Sequence, residues 1–406
     1  MTEGKQIQSS GPSILYLAPS GNFDATYFHR ANAFMSALSK NPLSQIIEIG
    51  PPKCVKDLFP PVKRLSNPRR IKIVSPFWVN LPQISRLDTF IFAMIRAMLL
   101  NMWAGIIARL FLSGRNFRIL LFYSPAFAFF RRFLGRDIFW AYDKADAYNF
   151  FYRGAVGDAI ALLDRYDTTR ADIVLASSHQ LDVLARRQGA KRTSRVDNGI
   201  YGRDFKVHPP RDKMLAVYVG NLVQDIWGVD MLLQAVPKIS KDFPSFHVSI
   251  VGEGPLKQEY ESVCRRLGIA NRTKFEGHVP HDEVSNVISS ARVAVAPYKS
   301  FPGFRFSSSL KILEYLASGT PVVVSNVGPF ADLIQTNRVG LTVDPTPEKI
   351  GEGICSIFRL DDEKWEAMSK RAVSVAHEYE WDAVLSKAFD KIEKAYASVA
   401  RGNKGL

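Results

Sequence analysis

Phe306-Ser307-Ser308-Ser309-Leu310-Lys311-Ile312-Leu313-Glu314-Tyr315-Leu316-Ala317-Ser318-Gly319-Thr320-Pro321 runs directly into Val322-Val323-Val324. The serines predict a helix start with hydroxyls and free backbone N–H groups, the leucines at 310, 313 and 316 fall at three-residue spacing, and Gly319 stands where a helix should stop. The valine run after Pro321 reads as a buried strand. Lys311 and Glu314 are three apart, so they project from one face of the helix near its positive end. That arrangement suits a nucleotide: a diphosphate on the helix N-terminus beside Lys311, and ribose hydroxyls donating to Glu314. The same spacing also describes an exposed salt-bridge pair on a core helix.

Elsewhere the chain reads as alternating strands and helices. With 406 residues, 47% hydrophobic and 23% charged, it is long enough for two α/β domains and is not disordered. Cys54, Cys264 and Cys355 are few and far apart, which argues against a disulfide framework or structural zinc and for a reducing compartment. Residues 1–12 are polar and the apolar run 14–18 is too short for a signal peptide, so the expectation is a cytoplasmic protein. Of the net charge of +14, residues 1–200 carry 27 Lys and Arg against 14 acids, or +13, leaving +1 for the rest. A basic half fits nucleic acid, an anionic membrane or an anionic acceptor. No nucleic-acid motif accompanies it, and stacking aromatics do not alternate with the basic residues.

In the first half, residues 14–18 predict a strand and Pro19-Ser20-Gly21 its exit loop, after which His29-Arg30-Ala31-Asn32 opens a helix to Lys40. Residues 51–70 read as a surface connection, and residues 69–74 as a strand. From Leu87 to Leu112 the chain is almost wholly apolar, interrupted by Arg96 and Arg109, with uncharged runs too short for the roughly 20 residues of a membrane span. An interfacial helix inserting Phe90, Phe92, Met94, Ile95, Leu99, Trp103 and Phe111 is one reading, and a buried crossover helix the other. Phe127-Ala128-Phe129-Phe130-Arg131-Arg132-Phe133 is a second aromatic and basic cluster. Residues 119–123 and 138–142 predict further parallel strands. Asp143 and Asp146 follow the second one, where a carboxylate can serve as general base, cap the next helix or pair with Lys144. His179, after the strand at 173–176, is another candidate base.

In the second half, Asp197-Asn198-Gly199 reads as an interdomain turn, residues 215–222 as the first strand of a new sheet, and Val248-Ser249-Ile250-Val251-Gly252-Glu253-Gly254 as a strand ending in a glycine turn. The spacing of a dinucleotide fingerprint is not met there. His278 and His281 lack a third ligand nearby, and no Asp-x-Asp motif occurs, so no metal is expected.

The segment 293–324, with its Gly-Thr-Pro-Val-Val ending, resembles the nucleotide-sugar site of two-domain GT-B glycosyltransferases. Ser308-Ser309-Leu310-Lys311-Ile312-Leu313 is similar to the subgroup that includes the xanthan-pathway glucuronosyltransferase, and more distantly to family 4 glycosyltransferases. The resemblance implies an α/β GT-B fold: an acceptor-binding Rossmann-like domain at 1–200 with a membrane-associating segment, a nucleotide-sugar domain at 201–380, and a helix at 381–406 returning to the first, around a central cleft. It implies Asp146 as catalytic base, with Leu222, His278, Val279, Tyr298, Ser308, Ser309, Leu310, Lys311 and Glu314 holding the donor. The expected donor is a UDP-sugar, glucuronic acid among the options. The expected acceptor is a polyprenyl-diphosphate oligosaccharide of exopolysaccharide or surface-glycan synthesis at the inner face of the cell membrane. Retaining relatives carry a Glu where this chain has Phe306, and diphosphate-binding cations where it has Asn221 and Trp227, so an inverting, metal-independent transfer is favoured. The alternatives are a retaining family-4-type enzyme with another donor, a nucleotide-sugar epimerase of the same fold, and a basic nucleic-acid binder.

Overall fold

The computed structural model describes residues 12–19, 29–50, 62–67, 69–74, 90–112, 117–123, 127, 129–134, 137–152, 154–210 and 212–402. The expected Ser20-Gly21 loop wall, Cys54 and residues 87–89 lie outside that range, as do the side chains of Phe90, Phe92 and Met94. The chain divides into two units, residues 1–197 with 384–406, and residues 198–383.

The first unit comprises β1 (Ile14–Pro19), α1 (His29–Lys40), β2 (Gln45–Gly50), β3 (Val62–Arg64), β4 (Arg70–Val74), α2 (Phe90–Phe111), β5 (Ile119–Phe122), α3 (Arg131–Leu134), β6 (Phe139–Lys144), α4 (Gly154–Arg170), β7 (Ile173–Ala176), α5 (His179–Arg187) and β8 (Thr193–Arg195). Its sheet runs β3-β4-β2-β1-β5-β6-β7-β8, parallel except for β3. The central strands β1, β5 and β7 are apolar along their length because both faces are covered, as parallel sheets require. The order reverses at β1, which pairs with both β2 and β5. Such a reversal leaves a crevice off the carboxyl ends, where open α/β sheets bind ligands.

Two readings of this half are corrected. Residues 51–70 are not purely a connection: β3 lies within them, pairing antiparallel with β4 at an edge that carries Lys63 and Arg64, charges that discourage further strand addition. The strand expected at 138–142 continues through Asp143 and Lys144, and both are fully buried. Asp143 is therefore not a base beyond the strand end. It accepts from Arg30, Nε at 2.9 and 3.0 Å and Nη2 at 2.6 Å, while Arg30 Nη1 donates to the carbonyls of Val196 and Asp197 at 2.8 and 2.9 Å. Burial pushes the Asp143 carboxyl upward and the guanidinium opposes it. Lys144 is similarly committed to Asp164, which also accepts from the Tyr142 hydroxyl at 2.8 Å. Two strand residues that look chemical are thus interior ion-pair members.

The second unit comprises β9 (Asp212–Val219), α6 (Val229–Asp242), β10 (His247–Val251), α7 (Lys257–Arg266), β11 (Thr273–Gly277), α8 (His281–Ser290), β12 (Ala291–Ala296), α9 (Leu310–Ala317), β13 (Val322–Ser325), α10 (Pro329–Asn337), β14 (Gly340–Val343), α11 (Pro347–Phe358), α12 (Asp362–His377) and the start of α13 (Trp381–Gly402). Its sheet, β11-β10-β9-β12-β13-β14, is wholly parallel. Alternation along β9 sends Ala216 and Tyr218 into one core and Val217 into the other, so the sheet is covered on both faces. Here the order reverses at β9, between β10 and β12. From residue 384 onward, α13 belongs to the first unit.

Removing one partner of a buried pair exposes the whole cost of the other's charge. Arg30→Ala is expected to destabilise the protein to urea by about 3–5 kcal/mol at neutral pH. Without the guanidinium the folded-state pKa of Asp143 rises further above its unfolded value. The loss is therefore largest at neutral pH and shrinks towards about pH 4, where the folded carboxyl is protonated with or without the guanidinium. Urea titrations at both pH values check it, and an equal loss at each contradicts the assignment.

Candidate functional site

Because every strand of the second sheet is parallel, the turns after β9, β10, β11 and β12 share its carboxyl edge, and the candidate donor residues gather there. Tyr298 lies two residues beyond β12 and is 1% exposed. Ser309 occupies the N-cap position of α9, but its hydroxyl makes no cap bond. That corrects the expectation of a serine cap: the Ser309 hydroxyl instead meets the Tyr298 hydroxyl at 2.7 Å. The Ser308 carbonyl accepts from Asn198 Nδ2 at 2.9 Å, which ties the loop before α9 to the Asn-Gly turn. Leu310 opens the helix and is half-buried.

Lys311 and Glu314 do not form an exposed salt-bridge pair. The Lys311 ammonium lies against three rings, 4.6 Å from the Tyr218 centroid, 4.8 Å from Trp227 and 5.4 Å from Tyr298, and donates to the Tyr218 hydroxyl at 3.3 Å. Gly220 makes room for it, since a Cβ there would stand 2.4 Å from Nζ. Burial pulls the lysine pKa down to about 7, with the Glu314 charge acting the other way. Cation–π attraction offsets part of the lost hydration.

The rings are themselves fixed. Lys299 donates its N–H to the Ile226 carbonyl at 2.9 Å, and its ammonium meets Asp225 at 3.1 Å and Asp230 at 2.9 Å. This locks the turn that carries Trp227 onto the loop after β12. Gly228 completes the contact: at φ +71° it takes a left-handed conformation, and a Cβ would stand 1.7 Å from the Pro297 carbonyl oxygen. Phe304 packs on Trp227 and Tyr298 at 5.3 and 4.8 Å between centroids.

Glu314 turns towards His281 at the start of α8, with Nε2 3.7 Å from Oε1. The carboxylate raises the histidine pKa, burial acting against it. His278 is exposed beyond the end of β11, and Val279 is half-buried against the core under α9. Leu222 is fully buried, its N–H donating to the Glu253 carbonyl at 2.9 Å and its carbonyl accepting from Leu256 at 3.0 Å, so it supports the turn from below rather than reaching outward. Arg305 is exposed on a 3-10 turn before α9. In the first unit, Asp146 is half-buried just past β6, and His179 is exposed at the start of α5. Among the described residues no group of three or more His, Cys, Asp or Glu is placed to hold a metal ion.

Sequence reasoning missed Tyr218, Gly220, Phe304 and the role of Trp227. The one signal was Trp227 standing where a cation was expected.

Residues 213–359 match the family model described as Glycosyl transferases group 1. Among curated proteins, the chain is similar to an uncharacterized glycosyltransferase of Methanocaldococcus jannaschii, 28% identical over 193 residues, or 47% of each chain. It is also similar to phosphatidyl-myo-inositol mannosyltransferase of Mycolicibacterium smegmatis, 26% identical over 212 residues, 50% of this chain and 52% of the relative. The chain thus spans about half the length of the curated relatives it matches. Among solved structures, sucrose-phosphate synthase from Thermosynechococcus elongatus superposes with a TM-score of 0.70 at 16% identity, covering 95% of this chain and 99% of that one. Anabaena HepE in complex with UDP superposes with a TM-score of 0.67 at 14% identity, covering 97% and 100%. The fold is GT-B, two parallel-sheet α/β units.

The caged lysine has a measurable signature. Its folded pKa of about 7 lies below the usual 10.5, so the unfolded chain holds the extra proton between those values and stability rises with pH across that window. Lys311→Met removes that contribution. The variant should exceed the parent protein in urea resistance at pH 6, with the gap narrowing towards pH 9. A gap that stays constant rules out a desolvated ammonium.

Proposed function

We propose that this chain is a glycosyltransferase that moves a sugar from a uridine diphosphate donor to a lipid-diphosphate-linked oligosaccharide at the cytoplasmic face of a membrane. The observation that carries the reading is the group at the carboxyl edge of β9 and β12: the amino end of α9, the Lys311 ammonium and the Glu314 carboxylate one turn on. An anionic diphosphate is stabilised by a helix amino end and a cation, and a carboxylate one turn further accepts from vicinal hydroxyls. The match over residues 213–359 supports the donor side. The UDP bound to HepE supports uridine, and phosphatidyl-myo-inositol in the name of a relative supports a lipid-type acceptor.

In the mechanism, Asp146 takes the proton from the acceptor hydroxyl as that oxygen bonds to the anomeric carbon. The bond from that carbon to the diphosphate oxygen breaks, and the leaving charge is neutralised by α9 and Lys311, with no call for a divalent cation. The configuration inverts, because Phe306 offers no carboxylate on the sugar's other side. Arg305 faces a sugar carboxylate, which makes glucuronic acid the first donor to try, and exopolysaccharide or surface-glycan assembly the setting.

Calorimetric titration with uridine, guanosine and adenosine diphosphates tests the donor site. UDP should bind alone among them, and Lys311→Ala and Glu314→Gln should each weaken it by tenfold or more, about 1.4 kcal/mol. Lysine reprotonation makes binding at pH 8 take up protons, seen as a dependence of the heat on buffer ionisation. Asp146→Asn should lower kcat by about 10²–10⁴-fold and leave UDP affinity intact. Binding of no nucleotide overturns the reading, and a product with retained anomeric configuration overturns the role of Asp146.

A further inference from the structure

A crossover helix of a water-soluble sheet keeps one apolar face for the core and one polar face for solvent. The helix α2 does not. Leu100, Ala104 and Ala108 are buried against the first sheet. On the other side Ile95, Met98, Met102, Ile106 and Leu110 are 46, 55, 43, 45 and 70% exposed. Steps of three and four residues align these five on a single face. The helix contains no Asp or Glu, and Arg109 shares the exposed face. Further cations flank it. The exposed Arg132 belongs to α3, whose Phe133 ring fills the space at Gly105 of α2, where a Cβ would stand 2.5 Å from it. Arg64 lies 5.9 Å over the Phe111 ring near the helix end.

We infer that this face of α2 is a docking surface for an anionic phospholipid bilayer, on which the helix lies flat with five apolar side chains in the acyl boundary and arginines at the phosphates. The inference rests on the reading of a lipid-linked acceptor and adds how that acceptor's membrane is met. The face differs from the one expected from sequence. The Trp103 indole N–H is spent on the Val74 carbonyl at 3.0 Å, Trp103 and Phe111 pack on the core, and Leu99 is half-buried. Of the described side chains in the expected set, only Ile95 is exposed. Among the described residues no helix is long and apolar enough to cross a membrane, which suits a helix lying in the interface plane. A bilayer fits better than a second copy of this chain. A two-fold contact sets each patch against itself, so Arg109 would face an apolar surface ringed by the same arginines, with no acid on the helix to meet it. Lipid phosphates supply that counter-charge.

The test is co-sedimentation of the full chain, without nucleotide, with vesicles of phosphatidylcholine alone and with about one-third phosphatidylglycerol. The parent protein should pellet with the anionic vesicles and far less with neutral ones. The double substitution Met98→Glu with Leu110→Glu should lower the partition coefficient by roughly tenfold or more. Arg109→Gln with Arg132→Gln should lower it by a similar factor and flatten its salt dependence. Thermal melts and UDP titration on the same proteins keep folding and the donor site separate, and Met98→Gln with Met102→Gln replaces the first pair if it melts early. Failure of the parent protein to pellet, or pelleting of the glutamate variant like the parent, overturns the inference and leaves the donor-site reading standing. A dimer of the parent protein in sedimentation velocity that the same substitutions dissolve assigns the face to a second copy and overturns it too.

Discussion

A lysine ammonium held against three aromatic rings is the constraint around which the second unit's carboxyl edge is built. The half-buried Lys311 charge has given up part of its water for the faces of Tyr218, Trp227 and Tyr298, with the Glu314 charge a turn away. Desolvation on that scale is tolerated when the surroundings are rigid, and the surrounding contacts are of that kind: Lys299 clamping the Trp227 turn, Gly228 pressed on Pro297, Tyr298 pinned by Ser309. The Lys311 ammonium is therefore held by a rigid set of neighbours rather than by water.

How much of this was legible follows from where each signal sits in the chain. The helix α9, the glycine after it and β13 are contiguous, so local propensity and periodicity agreed and predicted them correctly. The alternating order of the second unit was legible for the same reason. The cage was not, because Tyr218 meets Lys311 across 93 positions and nothing in either residue's neighbourhood marks the other. His281 and Glu314 come from two helices whose facing is set only by the sheet. The alternative of an exposed Lys311–Glu314 pair could not be told apart in the sequence, because a lysine carries the same signature whether its stem points to water or into a ring cluster.

The first unit misled in a different way. A strand that ends in Asp143-Lys144 invites a chemical reading, since charged residues at strand ends commonly face ligands. Both are interior, and each has a partner on another element: Arg30 of α1 across 113 positions, and Asp164 of α4 across 20. Buried pairs of this type add little net stability over apolar packing, but each charge depends on its mate. They also fix the register between helices and sheet, because a shift of one residue in β6 moves Asp143 to the face opposite Arg30. Nearby, both carboxylate oxygens of Asp167 are buried without a hydrogen-bond partner among the described residues, and burial, with the adjacent Asp164, raises its pKa well above the ordinary value. Burial and the Asp164 charge both work against a charged Asp167, while the Lys144 ammonium works the other way.

The glycine turn after β10 has a packing cause that the dinucleotide spacing does not describe. Gly252, at φ +143°, would place a Cβ 1.9 Å from the Gly220 carbonyl oxygen, and Gly254, at φ +157°, a Cβ 2.4 Å from that of Leu222. The two turns touch backbone to backbone, and N–H groups of Gly220 and Leu222 donate to Val251 and Glu253. Glycine is required here for contact between neighbouring strand exits. The same contact brings Gly220 under the Lys311 ammonium. The position of the Lys311 ammonium thus depends on three glycines in two turns.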